Sequence, residues 1–159
     1  MAVWYIDSIN GSDSNGGSSS SAAWATLAKG ITSGHDVDGS GVDTTLHLAP
    51  NSIFREIVGA GETDKGVGNR CYWIGDREAS VFTSHTPGAI IITDITDPIT
   101  MTSAGATVMA TSHRTNYINL DIYAVGDGGT ALGQGPSAGR PTDATGSNCL
   151  IIGAKYGAY

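Results

Sequence analysis

Asp94 and Asp97 lie three residues apart in Ile92-Thr-Asp-Ile-Thr-Asp97, a spacing that could do chemistry. Near a chain reversal, such a pair could hold Ca²⁺ through hard oxygen ligands. It could also supply the acid and base of a glycoside hydrolysis. Cleaving an acidic sugar by elimination makes a further demand. A base must sit beside the acidic proton, and Ca²⁺ or an Arg/Lys clamp must neutralise the sugar carboxylate. The simpler reading is two turn aspartates that cap nearby backbone amides, and the sequence favours it.

Asp7, Asp13 and Asn15, with Gly16 and Gly17 beside them, form a second oxygen-rich group that could bind Ca²⁺. Their spacing does not follow the D-x-[DN]-x-[DN]-G order of a calcium loop, so a self-bonded turn network is expected instead. Lys155 and Tyr156 have the chemistry of a base and an acid. They lie close to Tyr159, with nothing after them to shape a cleft. Arg55-Glu56 and Asp76-Arg77-Glu78 mix signs at adjacent positions and read as surface ion pairs. His113-Arg114 precedes a strand and could contact a sugar, though a turn position suffices to explain it. No position is assigned a catalytic or metal-binding role beyond these candidates, and Ca²⁺ is the one cofactor considered.

Composition narrows the partners. The net charge is −7, and the eight Lys and Arg residues are scattered singly. Phosphate neutralisation needs clustered cations, so nucleic acid is excluded. No apolar run approaches the ~18 residues of a membrane-spanning helix, so membrane insertion is excluded as well. Cys71 and Cys149 both fall in apolar runs and read as buried free thiols rather than a disulfide or metal pair. Strand-like sequence starts at Val3, with no basic segment leading into an apolar one, so no signal peptide is read.

Charged residues make up only 14% of the 159 residues, and there are 23 glycines. Such a chain solvates itself with hydroxyls and backbone, which favours many strands and turns over salt-bridged helices. Short apolar blocks bounded by Gly, Pro, Asp or Asn recur: Thr44-Thr-Leu-His-Leu48, Cys71-Tyr-Trp-Ile74, Ala89-Ile-Ile-Ile92, Thr107-Val-Met-Ala110, Tyr117-Ile-Asn-Leu-Asp-Ile122 and Cys149-Leu-Ile-Ile152. Each reads as a strand. Ile74, Ile92 and Met109 are spaced by about 17 or 18 residues, which suggests stacked coils. A single coil cannot bury its inward side chains, so stacking must do so. Trp24, Leu27, Ala28 and Ile31 fall on one face of a short helix, with serines upstream to cap it and Gly34 past its end. Residues 126–147, rich in Gly, Thr, Ser and Pro, read as a loop insertion.

Several of these residues carry a family resemblance. Trp4-Tyr-Ile-Asp7, Gly11-Ser-Asp13, Asn15-Gly16 and Trp24-Ala-Thr26-Leu27-Ala28 through Ile31 resemble the opening of the pectate-lyase-like β-helix superfamily. Asn116-Tyr-Ile-Asn-Leu-Asp-Ile122 and Asn148-Cys-Leu-Ile-Ile-Gly153 resemble its internal coils, where Asn often stacks in the turns. Ala23 stands where the family usually has Pro, and Gly30 where Ala is common. The superfamily includes secreted polysaccharide lyases and hydrolases as well as bacteriophage tailspikes.

The resemblance implies an all-β, right-handed parallel β-helix with a short N-terminal capping helix. The chain then reads as a single domain. Residues 3–33 form the strand, loop and cap, and residues 44–159 the stacked coils. Family catalytic residues lie on middle coils, and no position here can inherit their roles. The function implied is a structural or glycan-contacting module of a phage virion or tail appendage, non-catalytic as given. The alternative is the N-terminal part of a polysaccharide lyase or glycoside hydrolase. Expected partners are other virion proteins or copies of the chain itself, as a homotrimer by analogy with tailspikes, and polysaccharide. The expected location is the virion, after synthesis in a host cytoplasm, or outside the cell on the alternative.

Overall fold

Successive side chains of a strand point to opposite faces, and that period decides which of them reach the interior. In the computed structural model, residues 1–35, 43–56, 70–93, 95–97, 102–103, 109–111, 115–124, 130–134, 145–153 and 156–158 are described. They are mostly strands, in chain order β1 (Ala2–Ile6), β2 (Thr44–Leu48), β3 (Ile53–Phe54), β4 (Cys71–Gly75) and β5 (Ile91–Thr93). There follow β6 (Ile95–Asp97), β7 (Thr102–Ser103), β8 (Met109–Thr111), β9 (Thr115–Ile118) and β10 (Asp121–Ala124). The last four are β11 (Thr130–Gln134), β12 (Thr145–Ser147), β13 (Leu150–Gly153) and β14 (Tyr156–Ala158). Three sheets are wholly parallel, with strand orders β1-β2-β4-β9-β12, β13-β10-β5-β3 and β14-β11-β8.

Register aligns the apolar side chains in files. In the first sheet, Trp4, Leu46, Trp73 and Tyr117 stand on successive strands. In the second, Phe54, Ile92, Ile122 and Ile151 do the same. Together with Ile6, Leu27, Leu48 and Leu120 they make one core. Burying a side chain of this size contributes roughly 1.5–3 kcal/mol, so the files rather than any single strand hold the fold.

Between the first and second sheets the chain turns at Asn119-Leu120 and again at Asn148-Cys149. Asn119 and Asn148 take φ of 58° and 52°, a left-handed conformation that Asn tolerates better than most residues. Gly75 ends β4 beneath this corner, and a Cβ there would come 2.4 Å from the Asn119 carbonyl oxygen.

The N-terminal end is closed by Trp24, Leu27 and Ile31, all buried with Ile6 and Leu46. Trp24 stacks on Trp4 at 5.0 Å, and its indole N–H donates to the Asn15 carbonyl at 2.8 Å. Trp24 is not helical, however. It forms an isolated parallel bridge with Ile6, and the helix starts at Leu27, runs to Lys29 and continues as a π-helical segment, Gly30–His35. The cap is Thr26, whose side chain accepts from the Lys29 N–H, rather than an upstream serine. Gly30 lets this segment lie against the sheet, because a Cβ would meet the Ile6 Cδ1 at 2.3 Å.

Other expectations need correction. The 117–122 block is two strands of different sheets, because left-handed Asn119 breaks it. Ile74, Ile92 and Met109 fall in three different sheets, so their spacing is not a coil repeat. The register repeat appears instead between Asn119 and Asn148, 29 residues apart. Residues 126–147 are not simply a loop, since they contain β11 and β12. Leu132 pairs with Met109 on one side and Ala158 on the other, so neighbouring strands impose structure that the Gly-rich composition hides. The 89–92 block begins its strand only at Ile91. Among the described residues one antiparallel pair, β6 with β7, interrupts the otherwise parallel arrangement. Cys71 is buried and Cys149 half-buried, and neither is in a disulfide.

Candidate functional site

The described residues with chemical potential gather where residues 76–90, linking β4 to β5, fold back over the turns after β1 and β2. Asp76 organises this loop. Its buried carboxylate accepts from the Ser80 N–H (2.9 Å) and Oγ–H (2.7 Å), and from the Val81 and Phe82 N–H groups, both at 2.8 Å. Burial alone pushes this carboxyl up, but the bonds from Phe82, Ser80 and Val81 outweigh it and hold it below its ordinary value. The loop includes Ala79 at a φ of 54°, tied by its N–H to the Asp76 carbonyl at 3.0 Å.

Phe82 then inserts beside Ala23 and Ala49 and lies edge-on to Tyr5. His85 follows, edge-on to Phe82. Its Nε2 is 3.0 Å from Asp7 Oδ2 and 3.1 Å from Asn10 Nδ2, and its Nδ1 is 3.3 Å from Ser84 Oγ. The other Asp7 oxygen accepts from the Ile9 and Asn10 N–H groups. Asn51 donates to the Thr86 carbonyl at 2.8 Å, and Gly88 is fixed because a Cβ would strike the Asn51 side chain. Beneath, His47 stacks on Tyr5 at 5.7 Å. Burial lowers the His47 pKa, and the Asp76 charge opposes that only in part. No described residue is hydrogen-bonded to His47 Nδ1.

Asp7, His85 and Ser84 are the residue types of a hydrolytic triad. Their arrangement serves that chemistry poorly. The carboxylate and the hydroxyl take the ring nitrogens in the reverse of the usual order, and Ser84 is the chain neighbour of His85. The His85 N–H, the natural oxyanion donor next to Ser84, is already bonded to the Phe82 carbonyl at 2.9 Å. What the cluster does plainly is fasten the loop to the turn after β1.

The residues singled out from sequence are spread apart. Asp94 lies outside the described residues. Asp97 ends β6, opposite Thr102. Asp7 faces His85, while Asp13 accepts from the Ala25 and Thr26 N–H groups and the Thr26 hydroxyl. The Asn15 amide donates to the Ala23 carbonyl. These three hold three different turns, and no trio of His, Cys, Asp or Glu able to hold a metal gathers among the described residues.

The expected surface ion pairs are also different. Glu56 caps the helix by accepting from the Leu27 and Ala28 N–H groups. Asp76 is buried in its loop, and Arg77 reaches Asp121 at 2.7 Å and the Asn119 carbonyl at 2.9 Å. Tyr156 begins β14, paired with Thr130. Lys155, His113 and Arg114 lie outside the described residues. Sequence reasoning missed the Asp7–His85 contact and the role of Asp76. The Asp76-to-Ser80 spacing is a local turn signal for the second. Nothing local signals the first, since it joins distant parts of the chain, as does the adjoining Asn10–His85 contact across 75 residues.

No protein-family model matches the chain, and no curated protein matches it. Among the described residues no helix is long and apolar enough to cross a membrane.

Proposed function

We propose that the chain is a right-handed parallel β-helix of the kind found at the N-terminal end of pectate-lyase-like proteins. On this reading it serves as a structural, glycan-contacting module of a virion or tail appendage and cleaves nothing as it stands. Strand order supports the solenoid. From β9 the chain passes through the first, second and third sheets, then repeats that circuit with β12, β13 and β14. Each strand of the second circuit pairs parallel with its counterpart in the first. Crossovers between parallel strands of one sheet are right-handed in about 98% of cases.

The observation that carries the structural role is the use made of the polar side chains. Asp7, Asn10, Arg77 and His85 are each engaged in bonds that tie one turn or loop to another, and Asp76 braces its own loop. The virion setting is supported by the resemblance to tailspikes and by the Ser-, Thr- and Gly-rich composition. Its partners on this reading are other virion proteins, copies of itself as a homotrimer, and polysaccharide.

Incubation with acidic and neutral polysaccharides, with and without Ca²⁺, tests the non-catalytic reading. Unsaturated product is followed by ultraviolet absorbance and new reducing ends by a colorimetric assay. The expected result is no product in either channel. Product that vanishes in Asp94→Ala or Asp97→Ala would instead support the lyase or hydrolase reading.

A further inference from the structure

The turn-rich stretch after β1 holds two Asn-Gly pairs, Asn10-Gly11 and Asn15-Gly16. This dipeptide can modify itself. The glycine nitrogen attacks the asparagine side-chain carbon and closes a five-membered imide, and ammonia leaves. In a folded chain the reaction needs a free glycine N–H and room for the ring. The two pairs differ in both. The Gly11 N–H donates to the Asp7 carbonyl at 2.9 Å. A Cβ on Gly11 would lie 2.3 Å from the Trp24 carbonyl oxygen and 2.4 Å from that of Asp7, so this peptide is wedged between two neighbours. Gly16 is exposed, and among the described residues no acceptor takes its N–H. A Cβ on Gly16 would meet only the Ser18 Oγ, at 3.8 Å.

We propose that Asn15 is a site of spontaneous deamidation in the folded protein, and that Asn10 in the preceding turn is protected. Trp24 assists the reaction. Its indole N–H donates to the Asn15 carbonyl oxygen at 2.8 Å, the oxygen of the same peptide group whose nitrogen must lose its proton. A donor on that oxygen withdraws electron density and stabilises the amide anion. A solvent base takes the Gly16 N–H proton, and the nitrogen lone pair forms the bond to Asn15 Cγ. The Cγ–Nδ2 bond breaks as Nδ2 takes a proton from water and leaves as ammonia. Water then opens either C–N bond of the imide, leaving aspartate or isoaspartate at position 15. Nothing is oxidised or reduced. The product bears on the N-terminal cap. The Asn15 side-chain amide donates to the Ala23 carbonyl at 2.9 Å, and a carboxylate there sets acceptor against acceptor. Isoaspartate also routes the backbone through the side chain. That adds a methylene and turns the carbonyl that holds Trp24 into a free carboxylate.

Ageing the folded 159-residue chain in mildly alkaline buffer tests this, with circular dichroism as the folding control. Fragmentation of the first tryptic peptide, Met1–Lys29, in a mass spectrometer tells the two asparagines apart. A parallel sample in urea gives the rates of both pairs without their folded surroundings. The expected result is a gain of about one mass unit at Asn15, about tenfold or more faster than at Asn10, the rate equivalent of one hydrogen bond. The two rates should converge in urea. Asn15→Gln should abolish the folded-state reaction. Asn15→Asp carries the product's carboxylate and should melt below wild type. Comparable rates at the two asparagines of the folded chain overturn the proposal. So does a folded chain in which Asn15 stays intact while the urea sample reacts. An Asn15→Asp chain that melts like wild type overturns the link to the cap.

Discussion

The side-chain amide of Asn148 donates to the side-chain oxygen of Asn119 at 2.8 Å, and the Asn119 amide donates in turn to the Gly75 carbonyl at 3.3 Å. Three consecutive strands of the first sheet thus end in one amide ladder. Both asparagines need a left-handed backbone to make the corner. Asn119→Ala should lose both the ladder bonds and the tolerance of positive φ, a destabilisation of about 2–3 kcal/mol. Asn119→Gly keeps the backbone and should lose only about 1 kcal/mol. Urea unfolding of the two variants measures the difference, and equal losses would mean the φ requirement is not real.

At the other end, Trp24→Ala should cost roughly 3–5 kcal/mol, since it empties a buried site against Trp4. Trp24→Phe keeps part of the packing and should lose less, chiefly the bond of about 1 kcal/mol to the Asn15 carbonyl. Thermal melts rank the pair. An unchanged melting temperature for Trp24→Ala would show that the cap contributes nothing.

Acid should destabilise the protein in two separable windows. His47 has a pKa lowered by burial, so protons bind more readily to the unfolded chain. Its contribution is complete above its ordinary value of 6.5 and is lost as pH falls below it. Asp76 also lies below its ordinary value of 3.8. Its contribution is present above that value and is lost as pH falls further, toward the folded value. Melting followed from pH 8 to pH 3 should therefore decline, about as steeply as a single titrating group requires, from roughly pH 6.5 downward. His47→Gln should flatten the upper part of that decline. Asp76→Asn should flatten the acid end at the expense of stability at neutral pH. A wild-type profile that rises on acidification would reverse the sign and refute both assignments.

The strands that showed in the sequence are those whose own side chains alternate or run apolar. Leu46 and Leu48 point inward from a polar-flanked strand, and Cys71 and Trp73 do the same. The burial of Trp24, Leu27 and Ile31 was legible too, from spacing alone, although the same spacing placed Trp24 within the helix, which starts only at Leu27. The corner at Asn119 was not legible, because a left-handed residue between two apolar strands leaves composition unchanged. Nor was β11, whose Thr130-Ala-Leu-Gly-Gln134 takes its structure from Met109 and Ala158 beside it. The contact of Asp7 with His85 depends on where the 76–90 loop lands, a long-range outcome with no local signature.

The central claim is that successive circuits stack as parallel coils. Pulsed and continuous-wave electron paramagnetic resonance of spin labels at Ile53, Ile91 and Leu150 tests it most directly, in a Cys71→Ala, Cys149→Ser background diluted with unlabelled chain. Ile53 is in register with Ile91, and Ile91 with Leu150 through Asp121. At ~4.8 Å per strand, the backbone separations should rise from about 5 Å for 53–91, to about 10 Å for 91–150, to about 15 Å for 53–150. The labels should report that order. A 91–150 separation longer than that of 53–150, or all three beyond about 25 Å, would contradict the stacked-coil account.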